Sequence, residues 1–460
     1  MMSITEKKSA SLERDFRAMP KKDCDEEDYN KDKFEWTLAK YILLFELSIV
    51  FFFNFASFSI LATFFPNEAT SIGATRSEIG FIFGAYPLVA FPASLIYGIL
   101  IPRFGAEKLL LVGIFTNGIT VFLFAFVNLT SSSRLFVGFC LTLRVLAALG
   151  GAACETTIRA IILTDFGSNI GFTMGILSTA TELAFTVGPV LGGALYTVGG
   201  FKLPFLAVGS LFMLLLFLVC IGLPKKEWNT KQTPIRTLTK ALSIPGVAMM
   251  ALVQTILITD LSVLDPTLAP YIYSIHPHLS AGVVGLIFLL NGAVVALLSP
   301  LAGWICDKTG ANEIVLTSGL VVGGISLLLI GPAPFLTSFL PTKKLWLICL
   351  AVAINGGSAA LTIPPSVTVM SMYARGAGMP EDLATNGVIS GIVTASANLG
   401  SFAGPAFGGI VIEWIGFSWC MGIFGLVSLF QAVTTGVFTY FYRASKPNGG
   451  ENYSEVDFDE

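Results

Sequence analysis

Long apolar segments recur along the whole chain, and short polar stretches separate them. Each segment is roughly 20 residues or longer, which is the length an α-helix needs to cross the hydrocarbon core of a bilayer. Because lipid offers no partners to backbone N–H and C=O groups, we expect helices that pair these groups internally. The pattern predicts twelve helices, with approximate bounds 40–65, 78–101, 108–128, 134–157, 170–198, 202–223, 246–273, 281–305, 314–334, 345–371, 385–413 and 416–442.

The composition agrees with a membrane environment. Charged residues make up 12% of the chain and apolar residues 54%, whereas an ordinary soluble domain carries about 25% charged residues. Most Lys and Arg residues fall in the two terminal tails and in the connecting segments on the same side of the predicted helices. The positive-inside rule therefore predicts that both termini are cytosolic.

A basic, polar stretch divides the twelve helices into two sets of six. It covers residues 224–245 and has Pro at both ends, which is typical of a linker between two bundles. The predicted organisation is a cytosolic tail (1–39), a six-helix bundle (40–223), the cytosolic linker (224–245), a second six-helix bundle (246–442) and an acidic cytosolic tail (443–460).

One short motif occurs twice, as VGPVLGG at 187–193 in the fifth helix and as AGPAFGG at 403–409 in the eleventh. Small residues at every fourth position allow a neighbouring backbone to approach closely. The proline in each copy lacks an N–H and disturbs the hydrogen-bond ladder one turn back. Close helix packing alone is one interpretation, and a gating contact is the other. The candidate packing and gating residues are Gly188, Pro189, Gly192, Gly404, Pro405 and Gly408.

A second repeat indicates that the two sets of helices are related. GWICDKTG at 303–310 joins the eighth and ninth helices, and GILIPRFG at 98–105 lies between the second and third. The predicted fold is thus an all-α membrane protein with twelve transmembrane helices in two pseudo-symmetric six-helix bundles. The pattern Gly303-x-x-x-Asp307-Lys308-x-Gly310 resembles the loop motif of the major facilitator superfamily, which implies that Asp307 and Lys308 act in gating. The first-half copy has Pro102 where that family usually has Asp.

Further motifs narrow the resemblance. The Gly-Pro-x-x-Gly-Gly pattern in the fifth helix resembles that of proton-coupled antiporters in this superfamily. LDPTLAPYI at 264–272, LTLRVLAALGG at 141–151 and LLLIGPAPFL at 327–336 together resemble the vesicular amine transporter family, most of all its vesicular polyamine branch. Two features depart from the monoamine members. Asn54 stands where they carry a first-helix carboxylate, and the tenth helix has no carboxylate.

Ionisable residues inside the predicted helices are functional candidates, because each costs at least ~2.5–3.5 kcal/mol at the centre of a membrane. Glu155 follows Arg144 by about three helical turns, so the two can share a cavity without pairing directly. Glu46 can also extend its carboxylate to the cytosolic surface, and Glu182 either faces the substrate route or locks against another helix. The candidates for proton coupling or substrate binding are Asp265, Asp260, Glu182, Arg144, Glu155, Asn54 and Glu46.

Asp265 is the preferred coupling residue because it belongs to the resembling motif. Pro266 disfavours helical geometry at the residue before it, so we predict a flexible break at Asp265. An apolar environment favours a neutral carboxyl and a bound cation favours a charged one, so proton and amine compete for the same group. Asp260 lies about 140° away around the helix and cannot face the cavity equally. The simpler alternative is a carboxylate held by polar neighbours.

These observations predict a secondary active transporter that exchanges protons for an organic cation, such as a polyamine or monoamine, by alternating access. The alternatives are a proton-coupled carrier of neutral drugs or metabolites, and a transport-inactive receptor or scaffold. No catalytic constellation, metal site or cofactor motif stands out, and both histidines lie in one outer loop, so we do not expect an enzyme. The expected partners are the small cation, protons and the lipid bilayer, without nucleic acid, and the protein is expected to be monomeric. An intracellular vesicle membrane is the predicted location, with the plasma membrane as the alternative.

Overall fold

Twelve long helices dominate the part of the chain that the structure, a computed structural model, describes: residues 36–130, 132–222, 235–336, 341 and 344–444. They are α1 (Leu38–Ser59), α2 (Arg76–Phe104), α3 (Ala106–Phe124), α4 (Ser133–Asp165), α5 (Ile170–Gly199), α6 (Lys202–Gly222), α7 (Pro245–Ser262), α8 (Ala281–Thr309), α9 (Asn312–Ile330), α10 (Leu345–Gly376), α11 (Leu383–Ile415) and α12 (Phe417–Ala444). Shorter helices cover Phe65–Ser71, Ile235–Ser243 and Leu264–Ile275.

Eleven of the helical segments in the described residues are long and apolar enough to cross a membrane. The exception among the twelve is α11, whose first half contains many Gly, Ser, Thr and Asn residues that lower its mean hydropathy. With 33 residues it is nevertheless about 50 Å long, and it packs between other helices of the bundle. The chain is therefore a multi-pass integral membrane protein with twelve helices in two bundles of six.

Two helix bounds differ from the sequence-based expectation in ways that affect the site. Helix α4 continues to Asp165, eight residues beyond its predicted end, so Arg159 lies inside the helix and not in a loop. The seventh segment is interrupted at Val263, where α7 ends and the helix Leu264–Ile275 begins. The predicted linker contains the helix Ile235–Ser243. The predicted tails lie almost entirely outside the described residues.

The two halves have matching internal contacts. In the first half α1 packs against α5, and α3 packs against α4 and α6; in the second half α7 packs against α11, and α9 packs against α10 and α12. The contacts between the halves also form a symmetric pair, because α5 meets α8 and α11 meets α2. This arrangement reproduces the pseudo-symmetry that the repeated motifs predict.

The halves meet most closely at one end, which we call the linker side because α6 ends and α7 begins there. A Cβ on Gly98, near the end of α2, would lie 2.7 Å from the carbonyl oxygen of Gly387, near the start of α11. Closer to the opposite end of α2, a Cβ on Gly84 would meet only the Phe402 ring, at 3.7 Å. The two helices thus diverge away from the linker side.

Candidate functional site

Glu182 and Asp265 place one carboxyl group on each half of the protein. Glu182 lies on α5 of the first half and Asp265 on the helix Leu264–Ile275 of the second, and the two carboxyl groups interact electrostatically. Glu182 borders α8 as well, because a Cβ on Gly292 would lie 3.4 Å from its Oε2. Sequence reasoning listed the two residues separately, and only the fold brings them together.

The Asp265 side chain is exposed. It occupies the first turn of the helix Leu264–Ile275, where an acidic side chain is favourable near unpaired N–H groups. The expectation of a break at Asp265 itself was wrong by two residues. The break is at Val263, and its carbonyl accepts a hydrogen bond of 2.5 Å from Thr267 Oγ1.

Asp260 faces a different direction. Its side chain is buried, and its Oδ2 accepts a short hydrogen bond from Ser428 Oγ on α12. Oδ1 is buried without a hydrogen-bond partner among the described residues. Asp260 therefore lies between helices of the second half, whereas Asp265 is exposed.

Glu155 belongs to a buried polar network in the first half. Its Oε1 accepts a hydrogen bond of 3.1 Å from Asn54 Nδ2, and Asn117 Nδ2 donates to Asn54 Oδ1 at 2.7 Å. Its Oε2 lies 3.5 Å from Arg159 NH1. Asn54, which stands where the monoamine transporters have a carboxylate, is thus tied to a carboxylate on α4. Sequence reasoning missed Arg159, although its i,i+4 spacing from Glu155 is typical of helical ion pairs.

Arg144 lies on α4 among aromatic rings. Its guanidinium carbon is 4.9 Å from the centroid of Phe58, 5.4 Å from Tyr86 and 6.0 Å from Phe83, and its Nε donates to the Ile82 carbonyl at 3.3 Å. These distances are typical of cation–π contacts. In this conformation aromatic faces and one carbonyl hold Arg144.

Glu46 differs from the other candidates in its contacts. It is half-buried on α1, and a Cβ on Gly222, the last residue of α6, would overlap its carboxyl group. The close fit at Gly222 shows that Glu46 packs against the end of a neighbouring helix of its own half.

The two Gly-Pro motifs form the same contact in the two halves. Gly188 on α5 faces Ser59 on α1, and Ser59 Oγ donates to the Ala184 carbonyl at 2.9 Å. Gly404 on α11 faces Ser262 on α7, and Ser262 Oγ donates to the Gly400 carbonyl at 3.1 Å. Both helices run without interruption through Pro189 and Pro405.

The next small residue of each motif also lies at the contact. A Cβ on Gly192 would be 2.6 Å from the Ile60 carbonyl oxygen, and one on Gly408 would overlap the Val263 side chain. Neighbouring glycines have room, since Gly409 has nothing within 4 Å. The glycines of the repeated motif thus allow α5 and α11 to pack closely against the first helix of each half.

The loop motif between α8 and α9 joins the two halves on the linker side. Asp307 Oδ1 accepts from the Gly171 N–H at 2.9 Å, and Oδ2 accepts from the Phe172 N–H at 2.7 Å. These N–H groups belong to the first turn of α5, where they lack partners within the helix. Lys308 Nζ instead lies 4.3 Å from the Trp304 ring centroid. Asp307 therefore closes the linker side, and Lys308 packs on its own helix.

Acidic residues do not gather into a metal site in the described parts of the chain, where no group of three or more His, Cys, Asp or Glu side chains could hold an ion. The candidate carboxyl groups Glu182 and Asp265 instead belong to different halves of the protein. Two related six-helix halves that contact each other, joined on the linker side through Asp307, have the architecture of a membrane transporter.

Comparison with known proteins agrees with this class. The Major Facilitator Superfamily model matches residues 47–253 and again residues 250–457, so each half resembles the model separately. The MFS-type transporter SLC18B1 is 33% identical over 383 residues in Rattus norvegicus, covering 83% of this chain and 83% of the relative, and 33% identical over 382 residues in Homo sapiens, covering 83% and 82%. The chain belongs to the Major Facilitator Superfamily, in the branch that contains these transporters.

Two further matches have lower sequence identity. The multidrug resistance protein MdtG of Escherichia coli O1:K1 / APEC is 25% identical over 394 residues, covering 83% of this chain and 90% of the relative. The crystal structure of the human organic anion transporter MFSD10 superposes with a TM-score of 0.68 at 17% identity, covering 87% of this chain and 100% of that one. The latter shows the shared fold alone. The predicted superfamily and family branch are confirmed, and the chain is a transporter, not an enzyme.

Proposed function

We propose that the protein is a proton-coupled antiporter that moves an organic cation, such as a polyamine or monoamine, into an acidic vesicle. The observation that carries this proposal is that Glu182 of the first half lies against Gly292 of the second half, whose own exposed carboxyl group is Asp265. Two carboxyl groups near one open space attract a cation, and a polyamine has more than one ammonium group with which to bind them. The resemblance of the motif around Asp265 to the vesicular amine transporters supports the same substrate class.

Competition between proton and cation for these carboxyl groups supplies the coupling. A protonated carboxyl has no charge to hold an ammonium group, while a bound ammonium group favours the ionised carboxyl. A low pH on the side to which the cavity opens therefore releases the cation there. On the other side, at neutral pH, the carboxyl groups lose protons and accept a new cation.

The closed and open sides fit this direction of transport. We place the linker side in the cytosol and the opposite side in the vesicle lumen, with both termini cytosolic. The described conformation, with Asp307 joining the halves on the linker side, then corresponds to the lumen-facing state. Exchange of access requires these contacts to break while contacts form on the opposite side.

A second candidate is a proton-coupled carrier of neutral drugs or metabolites. The similarity to a multidrug resistance protein favours it. For a neutral solute, the carboxyl groups would carry protons without binding the solute directly. The two candidates differ in whether the same carboxyl group determines solute affinity.

Uptake into proteoliposomes with an imposed inside-acid gradient tests the proposal. We expect accumulation of labelled spermidine, spermine or a monoamine, and loss of that accumulation by about tenfold or more in Asp265→Asn, because Asn keeps the size of the side chain but does not titrate. Glu413→Gln, which removes an exposed carboxylate near the end of α11, is the matched control and should transport normally.

Two results would contradict the proposal. Failure of all the amines with correctly folded wild-type protein would remove the substrate class and favour the neutral-solute carrier. Full gradient-driven uptake by Asp265→Asn at normal protein levels would show that this carboxyl group does not couple transport to the gradient.

A further inference from the structure

A buried ion pair lies on α4, a helix that carries neither Glu182 nor Asp265. The Glu155 and Arg159 side chains are only 3% and 13% exposed, and Arg159 NH1 lies 3.5 Å from Glu155 Oε2. Arginine keeps its charge at all accessible pH values. A buried guanidinium of this kind needs a counter-charge, and Glu155 provides it.

The same guanidinium reaches the other half of the protein. Arg159 NH1 also donates to Thr394 Oγ1 on α11, at 2.9 Å. The Thr394 carbonyl in turn accepts from Asn398 Nδ2 at 2.9 Å, and Asn398 interacts with Glu155 as well. Arg159 NH1 therefore takes part both in the ion pair with Glu155 and in the hydrogen bond between α4 and α11.

Glu155 is the titratable member of this cluster. From its own helix it meets Arg159 and the adjacent thiol of Cys154, and from α2 it meets the hydroxyl of Tyr86. Among the described residues, the other groups near it do not titrate: Asn54 on α1, Asn117 next to Asn54 on α3, and Thr394 and Asn398 on α11.

We propose that Glu155 is a second proton-binding site and that Arg159 transmits its protonation to the contact between the halves. With Glu155 ionised, the pair is neutral and Arg159 stays in place, bound to Thr394. With Glu155 protonated, Arg159 is a buried charge without a counter-ion, and it gains hydration only if α4 and α11 separate. Protonation therefore favours opening of the linker side.

This inference rests on the proposed function. It explains how a proton bound in the first half changes which side of the transporter is open. It adds a group distinct from Asp265, where proton and cation compete. One site would bind the cation, and the other would bias the access state.

Thiol accessibility at Ser390 measures the separation of α4 and α11 directly. Ser390 is fully buried on α11, and its hydroxyl contacts the Thr156 carbonyl of α4. Ser390→Cys is a small change in size, and a water-soluble maleimide can reach the new thiol only when the helices part. The parent protein carries Cys220→Ser, since Cys220 is exposed, and labelling of that parent without the new cysteine is subtracted.

We expect maleimide labelling of purified protein in nanodiscs, without substrate, to rise about tenfold from pH 7.5 to pH 5.5 when each rate is divided by the rate of the same variant unfolded at the same pH. This division is needed because the thiolate is the reacting species and its fraction falls with pH, and all labelling rates below are normalised in this way. Glu155→Gln should label at the acid rate at both pH values. The double variant Glu155→Gln with Arg159→Gln should return to slow, pH-independent labelling, because it removes both charges together. Thr394→Val should label faster at pH 7.5 than its matched control Thr394→Ser, which keeps the hydroxyl.

The inference is wrong if Glu155→Gln keeps the pH dependence of the parent, or if the double variant labels as fast as Glu155→Gln alone. A loosened fold would accelerate labelling in the double variant too, so that variant separates a charge effect from misfolding. The assay uses no solute, so failure of every amine in the uptake assay would overturn the proposed substrate and leave this result standing.

Discussion

Gly404 offers the sharpest test of the packing between the first helix and the Gly-Pro helix of a half. A Cβ at this position would lie 2.7 Å from the Thr259 carbonyl oxygen and 2.8 Å from the Val263 amide nitrogen, and would overlap Ser262 Oγ. Two of these neighbours are backbone atoms, which cannot rotate away. Gly404→Ala must therefore push α7 and α11 apart or strain them.

The control on the same helix is Gly409→Ala. Nothing lies within 4 Å of a Cβ there, so this change only replaces Gly by the better helix former, a gain of up to about 1 kcal/mol. Overpacking costs about 1–3 kcal/mol. Because the helix-propensity gain is common to both variants, their stabilities should differ by roughly the overpacking cost, with Gly404→Ala the less stable.

Gly188, the equivalent glycine of the first half, should respond differently to removal of the neighbouring hydroxyl. At Gly188 the severe overlap is with Ser59 Oγ, and the next atoms are Ser59 Cβ at 3.3 Å and the Ala56 carbonyl oxygen at 3.5 Å. Removing that hydroxyl with Ser59→Ala should therefore rescue Gly188→Ala. Ser262→Ala should not rescue Gly404→Ala, since the backbone contacts remain.

Unfolding midpoints of purified protein in detergent, with the two double-mutant cycles, measure these effects, and gradient-driven uptake shows whether transport follows stability. Equal midpoints for Gly404→Ala and Gly409→Ala would refute the packing argument. A full rescue of Gly404→Ala by Ser262→Ala would show that the backbone contacts are not the obstacle.

Two further changes test other parts of the site. Arg144→Lys keeps the charge but loses the planar group that stacks on Phe58, so uptake should fall by about tenfold while the protein still inserts; wild-type kinetics would reduce Arg144 to a structural role. Asp307→Asn has one acceptor oxygen where the carboxylate serves the N–H groups of both Gly171 and Phe172, a loss of roughly 1.5–3 kcal/mol for a bond to a charged group. Labelling at the Ser390→Cys position should then increase at pH 7.5, and unchanged labelling would show that other contacts keep the linker side closed.

Hydrophobic length and repetition were sufficient to predict the twelve helices, because a membrane-spanning helix must be apolar over a fixed length whatever surrounds it. The two copies of the Gly-Pro motif likewise indicated a duplicated unit, because a close helix contact needs small residues at every fourth position. These are properties of single helices and can be recognised in the linear sequence. The twelfth crossing shows the limit of such a rule, since α11 is polar enough to fall below a simple hydropathy criterion.

Partners between helices could not be predicted from the same pattern. Sequence spacing showed that Arg144 and Glu155 share a face of α4, but it did not indicate that aromatic rings would hold Arg144 or that Asn54 would bind Glu155. The predicted end of α4 left Arg159 in a loop. A charged residue near the end of an apolar segment is compatible with the end of a helix as well as with its continuation. Its role became visible only when the helix continued past it.

The sequence by itself determined the environment, the number of helices and the duplication, because these depend on composition and on periods within one segment. Only the tertiary structure decided that Glu182 lies against Gly292 of the other half, that Asp260 points toward α12, and that Arg159 reaches Thr394. Each of these depends on the rotation and depth of two helices that are distant in sequence. Those quantities follow from the packing of whole surfaces, which no single segment specifies.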